Sequence, residues 1–304
     1  MRPDLLADFI SADRERGLGS YGIQVQRDGE PPVAHRFRSD DRVNLYSVSK
    51  GFTSVALGLA EAEGRLSLDD PLLTHFPELA PVAAPGVERV TLHQLLTMTS
   101  GSSHQWFADQ PIRSPDLLAE IVAAPLAAEP GSRFNYTGSG PYAAARALAR
   151  ATGANVRDYL LPRLFTPLGV PNPQWLRCPL GYPTAESDLL LRTAELGRFA
   201  LLLVREGTWT DGRQLIPAQY VRRLGTDTVD CSTGPARPSG EPDERTYGLG
   251  VWPARNGRYQ LHGRYGQFAI IDPHRRAAVT CTAHTEREDE LMDALHELVL
   301  DRVE

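Results

Sequence analysis

The pattern of apolar and polar residues along the chain predicts a helix at each end, with short strands beside it. Residues 3–17 have the spacing of an amphipathic helix, which a glycine ends. Two short strands are predicted around Tyr21–Gln26 and Val33–Phe37, separated by an Asp-Gly turn. Near the other end, Glu288–Val303 again has helical spacing with leucines at the apolar positions.

The interior of the chain has a mainly helical pattern. From residue 47 to about residue 64 the sequence is helical and largely apolar, which favours a buried helix. Between about 76 and 230 most segments look helical and are joined by turns rich in proline and glycine. A polar stretch at 232–245 is expected to be a surface loop. Three further strands are predicted at Tyr247–Trp252, Gly266–Asp272 and Ala277–Ala283.

The order of these elements predicts an α+β fold. A five-stranded antiparallel sheet would be flanked by the terminal helices, with a mainly α-helical domain inserted in the middle. Residues 1–75 and 231–304 would form the discontinuous sheet domain, and residues 76–230 the helical domain. Because small-molecule sites usually lie in clefts at domain boundaries, we expect the active site between the two.

Composition excludes several classes of function. The net charge is −6 and no basic block stands out, so a nucleic-acid partner is not expected. No stretch approaches the length of a membrane-spanning helix, and the N-terminus lacks the apolar core of a signal peptide, which favours a cytoplasmic location without a membrane partner. Three widely spaced cysteines lack metal-ligand spacing, so buried thiols are expected, with no metal and no cofactor.

The chain contains one lysine, Lys50, among 31 arginines. In a helix Ser47 would lie on the same face one turn earlier, with its hydroxyl beside the ammonium group. Serine needs a neighbour to accept its proton. A partly desolvated lysine can do so because its pKa falls, whereas arginine stays protonated. A Ser-x-x-Lys spacing alone is weak, so a purely structural pair stays open at this point.

Several longer stretches accompany this pair in order along the chain. They are GRLSLDDPL (64–72), VTLHQLLTMTSG (90–101), FNYTGSGPYAAARALARATG (134–153), DLLLRTAELGRFALLLVREGTW (188–209), YGLGVW (247–252) and HGRYGQFAIIDP (262–273). Together with the Ser-x-x-Lys helix, they resemble the serine β-lactamase, D,D-peptidase and esterase superfamily, in particular its class C-like branch of esterases, amide hydrolases and acyltransferases. The resemblance covers nearly the whole chain and implies the fold expected from the order of elements.

The resemblance implies roles for particular residues. Ser47 would be the acylated nucleophile and Lys50 its base or proton relay. Tyr136 matches the tyrosine of the second motif, which accepts or passes a proton, although a packed aromatic is the alternative. The backbone N–H groups of Ser47 and of Gln267, beside Gly266, would face the developing oxyanion.

The second motif departs from the pattern of the family. Its third residue is usually Asn or Ser, and here it is Gly138, so a side-chain hydrogen bond to a substrate amide would be missing. Ser139 or Asn135 could compensate for this loss. The departure weakens the case for β-lactam or peptidoglycan-peptide substrates.

The third motif and one loop supply the remaining candidates for substrate binding. His262 and Gly263 would occupy the third motif, with His262 orienting the substrate. Alternatively, Gly263 begins the strand and His262 lies in a loop. Gly266 would permit close approach of the substrate to the backbone. His104 and Trp106 would line the pocket, unless their loop is simply exposed.

The expected function is a serine hydrolase that cleaves an ester or amide of a small molecule through an acyl-Ser47 intermediate. A biosynthetic acyltransferase that uses the same acyl-enzyme is the alternative. A β-lactamase or D,D-peptidase, or a non-catalytic binding relative, is less favoured. The oligomeric state is not determined by the sequence.

Overall fold

The structure of the chain, a computed structural model, describes residues 1–2, 4–108, 112, 114–232 and 245–303. Over these residues the α-helices are α1 (Ala7–Arg16), α2 (Ser49–Ala62), α3 (Leu72–His75), α4 (Leu92–Leu96), α5 (Leu117–Ala123), α6 (Ser139–Thr152), α7 (Val156–Leu160), α8 (Thr193–Val204), α9 (Ala218–Thr226) and α10 (Glu288–Glu297). The strands are β1 (Ser20–Arg27), β2 (Val33–Arg36), β3 (Val43–Asn44), β4 (Gln174–Trp175), β5 (Leu189–Leu191), β6 (Val229–Asp230), β7 (Thr246–Tyr247), β8 (Trp252–Ala254), β9 (Arg258–Gly263), β10 (Gln267–Asp272) and β11 (Ala277–Ala283). Short 3-10 helices lie at Tyr46–Val48, Pro77–Val82, Val87–Arg89, Arg255–Gly257 and Leu300–Arg302, and a π turn at Leu161–Phe165.

Six strands form the main sheet, in the order β2-β1-β11-β10-β9-β8, and all neighbouring pairs run antiparallel. The predicted antiparallel sheet is therefore confirmed, but the predicted number of five strands is wrong. The strand predicted at Tyr247–Trp252 is divided into β7 and β8 by a turn in which Gly250 has a φ of 78°. β9 was not among the predicted strands, although the third motif was expected on or beside a strand at His262 and Gly263.

Both faces of β9 are buried, and the polar side chains on the face toward α10 explain why its sequence does not look like a strand. Arg258 donates from Nε to Asp272 Oδ2 at 2.8 Å, and Gln260 Nε2 lies 3.2 Å from Met292 Sδ. Leu261, on the other face, packs into the main apolar core. The Arg258 guanidinium and the Gln260 amide nitrogen thus have partners, whereas Gln260 Oε1 and the Tyr259 hydroxyl are buried without a hydrogen bond among the described residues. Pairing with β8 and β10 holds the strand in the sheet although polar residues alternate along one of its faces.

Helices cover both faces of the sheet. On one face the terminal helices α1 and α10 pack Phe9 and Leu295 against Phe268 and Val279, as the sequence predicts. On the other face lie α2 and α8. The hydroxyl of Thr193, at the start of α8, lies 2.7 Å from a hydroxyl on β11. Since α8 falls within the predicted helical range 76–230, part of that range belongs to the sheet layer, and the domain boundaries stay a prediction.

The helix α2 runs through the middle of the molecule and positions the candidate nucleophile at its start. All its residues from Ser49 to Ala60 are buried. The Phe52 ring is stacked on that of Phe199, with ring centroids 3.9 Å apart. A Cβ at Gly51 would lie 2.0 Å from a methyl carbon of Leu261, so this glycine lets α2 pack closely on β9. The predicted buried helix is confirmed.

Two sequence expectations concern the surroundings of this fold. Among the described helices, none combines the length and apolarity needed to cross a bilayer. The cytoplasmic location stays a prediction. Most of the surface loop expected at 232–245 lies outside the described residues.

Arg258→Met is expected to lower the free energy of unfolding by about 3–5 kcal/mol, because it leaves the Asp272 carboxylate buried without its main cation. Both side chains are almost fully buried. Chemical denaturation would measure the effect, with Arg275→Ala as the control, since Arg275 is partly exposed and lies 3.6 Å from Asp272. The control should cost less than about 1 kcal/mol. Equal losses in both variants would contradict a special role for Arg258.

Candidate active site

Ser47 and Lys50 meet at the start of α2. Ser47 lies in the 3-10 turn that leads into the helix, and the Lys50 Nζ donates to its Oγ at 2.8 Å. Ser47 is partly exposed, whereas Lys50 is buried. The contact predicted from the three-residue spacing is therefore present, with the hydroxyl accessible and the ammonium group beneath it.

The turn before Ser47 is held in an uncommon backbone conformation. Tyr46 has a φ of 46°, in the left-handed region that non-glycine residues rarely adopt. The Asn44 side chain stabilises this turn, because its Oδ1 accepts from the Tyr46 N–H at 2.7 Å and its Nδ2 donates to Asp188 Oδ1 at 2.7 Å. Strained backbone of this kind clusters at functional sites.

Lys50 has a second partner that the sequence interpretation missed. Its Nζ donates to Glu186 Oε2 at 2.7 Å and to the Glu186 carbonyl oxygen at 3.0 Å. The side chains are only 1% and 2% exposed, so this is a deeply buried ion pair. The other carboxylate oxygen, Oε1, accepts from the Ala108 N–H at 2.6 Å.

This ion pair corrects the expected state of the lysine. Burial acts to lower the pKa of Lys50, but the Glu186 carboxylate and the Tyr136 phenol outweigh that effect, and the pKa lies above its ordinary value. Lys50 is therefore an ammonium group in the resting site. The expectation that desolvation alone makes it a ready proton acceptor is wrong.

Gly138 makes room for the Glu186 side chain. A Cβ at position 138 would lie 2.7 Å from Glu186 Cγ, 2.9 Å from Cδ and 2.7 Å from the Trp106 carbonyl oxygen. The departure from the second motif is therefore the one sequence signal that could have pointed to an unexpected neighbour at this site.

Tyr136 lies beside the lysine, within an aromatic wall formed by Phe107, Phe134, Tyr136, Tyr247 and Trp252. The Lys50 Nζ is 4.9 Å from the centroid of the Tyr136 ring, within cation–π distance. That ring also has centroid distances of 5.5 Å to Trp252, 5.8 Å to Tyr247 and 6.2 Å to Phe107. Tyr136 is thus both a packed aromatic and a neighbour of the ammonium group.

Three of the predicted pocket residues are used elsewhere. The Ser139 hydroxyl is buried and lies 2.8 Å from His104 Nδ1, while His104 Nε2 lies 3.2 Å from Glu120 Oε1. Trp106 is buried in the core, with its ring edge-on to Tyr142. Ser139, His104 and Trp106 therefore make these contacts within the protein, and their contact with a substrate stays a prediction.

Asn135, the other residue considered as compensation for Gly138, donates from Nδ2 to the Ser102 carbonyl oxygen at 3.3 Å. Neither Ser139 nor Asn135 therefore takes the place of the side chain that is missing at position 138. The aromatic residue of this loop that reaches the lysine is Phe107, whose ring centroid is 6.0 Å from Nζ.

His262 lies in β9 on the face of the sheet that packs against α10. Its Nε2 is 2.8 Å from Glu288 Oε2, and its ring is stacked on Phe268, with centroids 4.6 Å apart. Since neighbouring strand residues point to opposite faces, it is Leu261 that faces α2. The alternative that His262 lies in a loop is wrong, because the residue is part of β9. Its contact with the substrate stays a prediction.

The remaining candidates lie around the turn between β9 and β10. A Cβ at Gly263 would lie 2.2 Å from the Leu45 carbonyl oxygen, so this glycine lets β9 approach the segment before Ser47. Gly266 has a φ of 89°, and a Cβ there would meet Leu291 of α10 rather than the nucleophile. The predicted approach of the substrate to the backbone at Gly266 stays a prediction.

Gln267 braces this turn, because its Nε2 donates to the Ala283 carbonyl oxygen at 2.7 Å. The oxyanion site formed by the backbone N–H groups of Ser47 and Gln267 stays a prediction. Within the described parts of the chain, no group of three or more His, Cys, Asp or Glu side chains could hold a metal ion.

Comparisons with known proteins identify the family of this chain. Over 181 residues the chain is 31% identical to the lovastatin esterase of Penicillium rubens, a match that covers 52% of this chain and 44% of the esterase. The chain thus spans less than half the length of that curated relative.

Two solved structures share the fold. One is a penicillin binding protein from Bacillus halodurans, with a TM-score of 0.74, 21% identity and coverage of 98% of this chain and 100% of that one. Another is a D-stereospecific amidohydrolase from Streptomyces sp., with a TM-score of 0.71, 19% identity and coverage of 96% and 98%. The model of the Beta-lactamase family matches residues 6–304. With a match over nearly the whole sequence, this chain belongs to the beta-lactamase family, in the superfamily of serine β-lactamases and penicillin-binding proteins.

Proposed function

We propose that this protein is a serine hydrolase that cleaves an ester or amide of a small molecule through an acyl-Ser47 intermediate. The observation that carries the proposal is the 2.8 Å contact between Ser47 Oγ and the Nζ of the only lysine in the chain. The similarity to a lovastatin esterase supports ester chemistry, and the fold shared with an amidohydrolase is compatible with amide cleavage.

In the proposed reaction, Ser47 Oγ attacks the carbonyl carbon of the substrate and forms a C–O bond. Lys50 relays the hydroxyl proton to the leaving group, which takes it as its bond to carbon breaks. By the family resemblance, the N–H groups of Ser47 and Gln267 bind the oxyanion. Water then attacks the acyl-enzyme and restores Ser47.

The aromatic wall supports a substrate with an apolar group near the reacting carbonyl. Tyr136 and Phe107 are partly exposed, and they border the lysine beneath the nucleophile. Flat aromatic surfaces bind apolar groups well. Gly138 supplies no side-chain amide to this region, so recognition of a peptide-like amide would lack a usual partner. An uncharged ester or amide with an apolar acyl or leaving group fits best.

Ser47→Ala and Lys50→Arg are each expected to lower the turnover of a p-nitrophenyl acyl ester by at least about 1,000-fold. The first removes the nucleophile, and the second keeps the charge but replaces the lysine with a guanidinium that does not lose a proton and so cannot act as a base. Ser49→Ala is the matched control, because Ser49 is a buried serine of the same helix turn whose hydroxyl accepts from the Leu189 N–H. Near-normal turnover in Ser47→Ala or Lys50→Arg would refute the assignment.

The acyl-enzyme is expected to partition to water rather than to another acceptor. After rapid acylation by the ester, intact mass should show a single acyl adduct on Ser47 that decays at a rate independent of added amine or alcohol. A decay rate that rises with acceptor concentration, with transfer product formed, would instead establish the acyltransferase alternative.

A further inference from the structure

The ammonium group of Lys50 uses each of its three N–H bonds on a different acceptor. These acceptors are Ser47 Oγ, Glu186 Oε2 and the Glu186 carbonyl oxygen. An ammonium group has no lone pair, so in this state Lys50 donates to the hydroxyl that it has to deprotonate. It can accept the Ser47 proton only after one of its own protons has moved elsewhere.

We propose that the base of this site is the Lys50–Glu186 pair, in which the Glu186 carboxylate takes a proton from Nζ and so frees the lysine to accept the Ser47 proton. This rests on the proposed function. Glu186 acts through Lys50 and is thus a positioning residue for the lysine proton. Transfer of the proton within this hydrogen bond, whose N···O distance is 2.7 Å, turns a buried ion pair into a buried neutral pair with no change in net charge.

The protons balance over one acylation. Glu186 Oε2 takes one proton from Lys50 Nζ, and Nζ takes the hydroxyl proton as Ser47 Oγ bonds to the carbonyl carbon. The leaving group then receives a proton from Nζ as its own bond breaks, and Glu186 returns its proton to Nζ. Water repeats the cycle in deacylation, and its proton is finally returned to Ser47 Oγ.

The backbone around Glu186 is built to hold this carboxylate on the lysine. Ala185 has a φ of 64° and Asp188 a φ of 68°, both in the left-handed region that is costly for non-glycine residues. Thr53 of α2 ties the segment down, because its Oγ1 donates to the Ala185 carbonyl oxygen at 2.7 Å. The 2.6 Å hydrogen bond from the Ala108 N–H fixes the second carboxylate oxygen.

Gly138 provides the space that the Glu186 side chain occupies. The missing Cβ at 138 would collide with both Cγ and Cδ of the glutamate. The carboxylate therefore occupies the space in which the side chain of the usual Asn or Ser of the motif would begin. In place of a side chain that hydrogen-bonds to the substrate, the site holds the Glu186 carboxylate, which can take up a proton.

The groups that face the pair limit what else could titrate with it. The Tyr136 phenol approaches from the segment before α6 and favours the charged lysine. Asp188 lies on the same segment as Glu186, and its carboxylate accepts hydrogen bonds from the Asn44 amide and the Thr184 hydroxyl. Two uncharged groups of residues 107 and 108 also contact the pair: the Phe107 ring lies near Lys50, and the Ala108 N–H donates to Glu186.

The test is the pH dependence of Ser47 labelling by a fluorophosphonate, followed by intact mass, in the wild type and in Glu186→Gln. The wild-type pair needs to release no proton to solvent, so labelling should be flat through neutral pH. In Glu186→Gln the reaction needs Lys50 to lose a proton to solvent. Its acid limb should therefore move up by at least about one pH unit, with labelling below that limb slowed about 100-fold.

Two control variants keep this test informative. Glu186→Asp retains a carboxylate and should keep the wild-type limb even if labelling is slower. Glu129→Gln removes an exposed carboxylate that pairs with Arg89 and should change nothing. If Glu186→Gln slowed labelling equally at every pH without shifting the acid limb, or left labelling unchanged, the proposal that the Lys50–Glu186 pair is the base would be refuted. Absence of any Ser47 adduct in the wild type would instead refute the proposed function itself.

Gly138→Ala should slow labelling and move the acid limb in the same direction, because the added Cβ displaces the Glu186 carboxylate from the lysine. In the double variant with Glu186→Gln, the effect should be much smaller than the product of the two single effects, since both remove the same interaction. Thermal melts of each variant establish that it is folded. Fully multiplicative effects in folded variants would contradict the coupling of Gly138 to Glu186.

Discussion

A positive charge buried directly beneath the nucleophile is the constraint on which this site depends. Taking an ammonium group out of water costs several kcal/mol unless a counter-charge and hydrogen bonds replace the solvent. Glu186 supplies both, and the ring of Tyr136 adds a third favourable contact. These residues come from α2, from the segment before β5 and from the segment before α6, so the lysine organises distant parts of the chain around Ser47.

Comparison with another buried cation, Arg258, shows why one position is lysine in a chain of arginines. Arg258 is as buried as Lys50, and it too is neutralised by carboxylates, from Asp272 and Asp301. A guanidinium stays protonated, which suits a strand that must be held to the layer of terminal helices. An ammonium group paired with a carboxylate can exchange its proton. The two cations have similar surroundings but differ in whether the proton can move.

Local spacing made part of this structure predictable. Ser47 and Lys50 are three residues apart, so their contact follows from helix geometry alone. β9 was missed because Arg258 and Gln260 are buried polar residues on its face toward α10, and their partners lie on other elements. His262 was assigned to the cleft, yet a difference of one residue in a strand decides which face a side chain occupies. The register comes from pairing with β10, which the sequence does not show locally.

Glu186 was the residue hardest to predict, because it lies 136 positions from Lys50 and nothing around it in the sequence marks it as buried. The trace it leaves is indirect and appears at Gly138, in another motif. If Glu186 holds the lysine from below, it is turned away from the substrate, and the site lacks the side-chain amide that the motif usually presents there. In the proposed function, discrimination between substrates then rests on the aromatic wall around Tyr136. Gly138 in place of the usual Asn or Ser thus has two consequences in the proposed function. It lets Glu186 accept a proton from Lys50, and it leaves the substrate to be recognised by apolar contact rather than by a hydrogen bond.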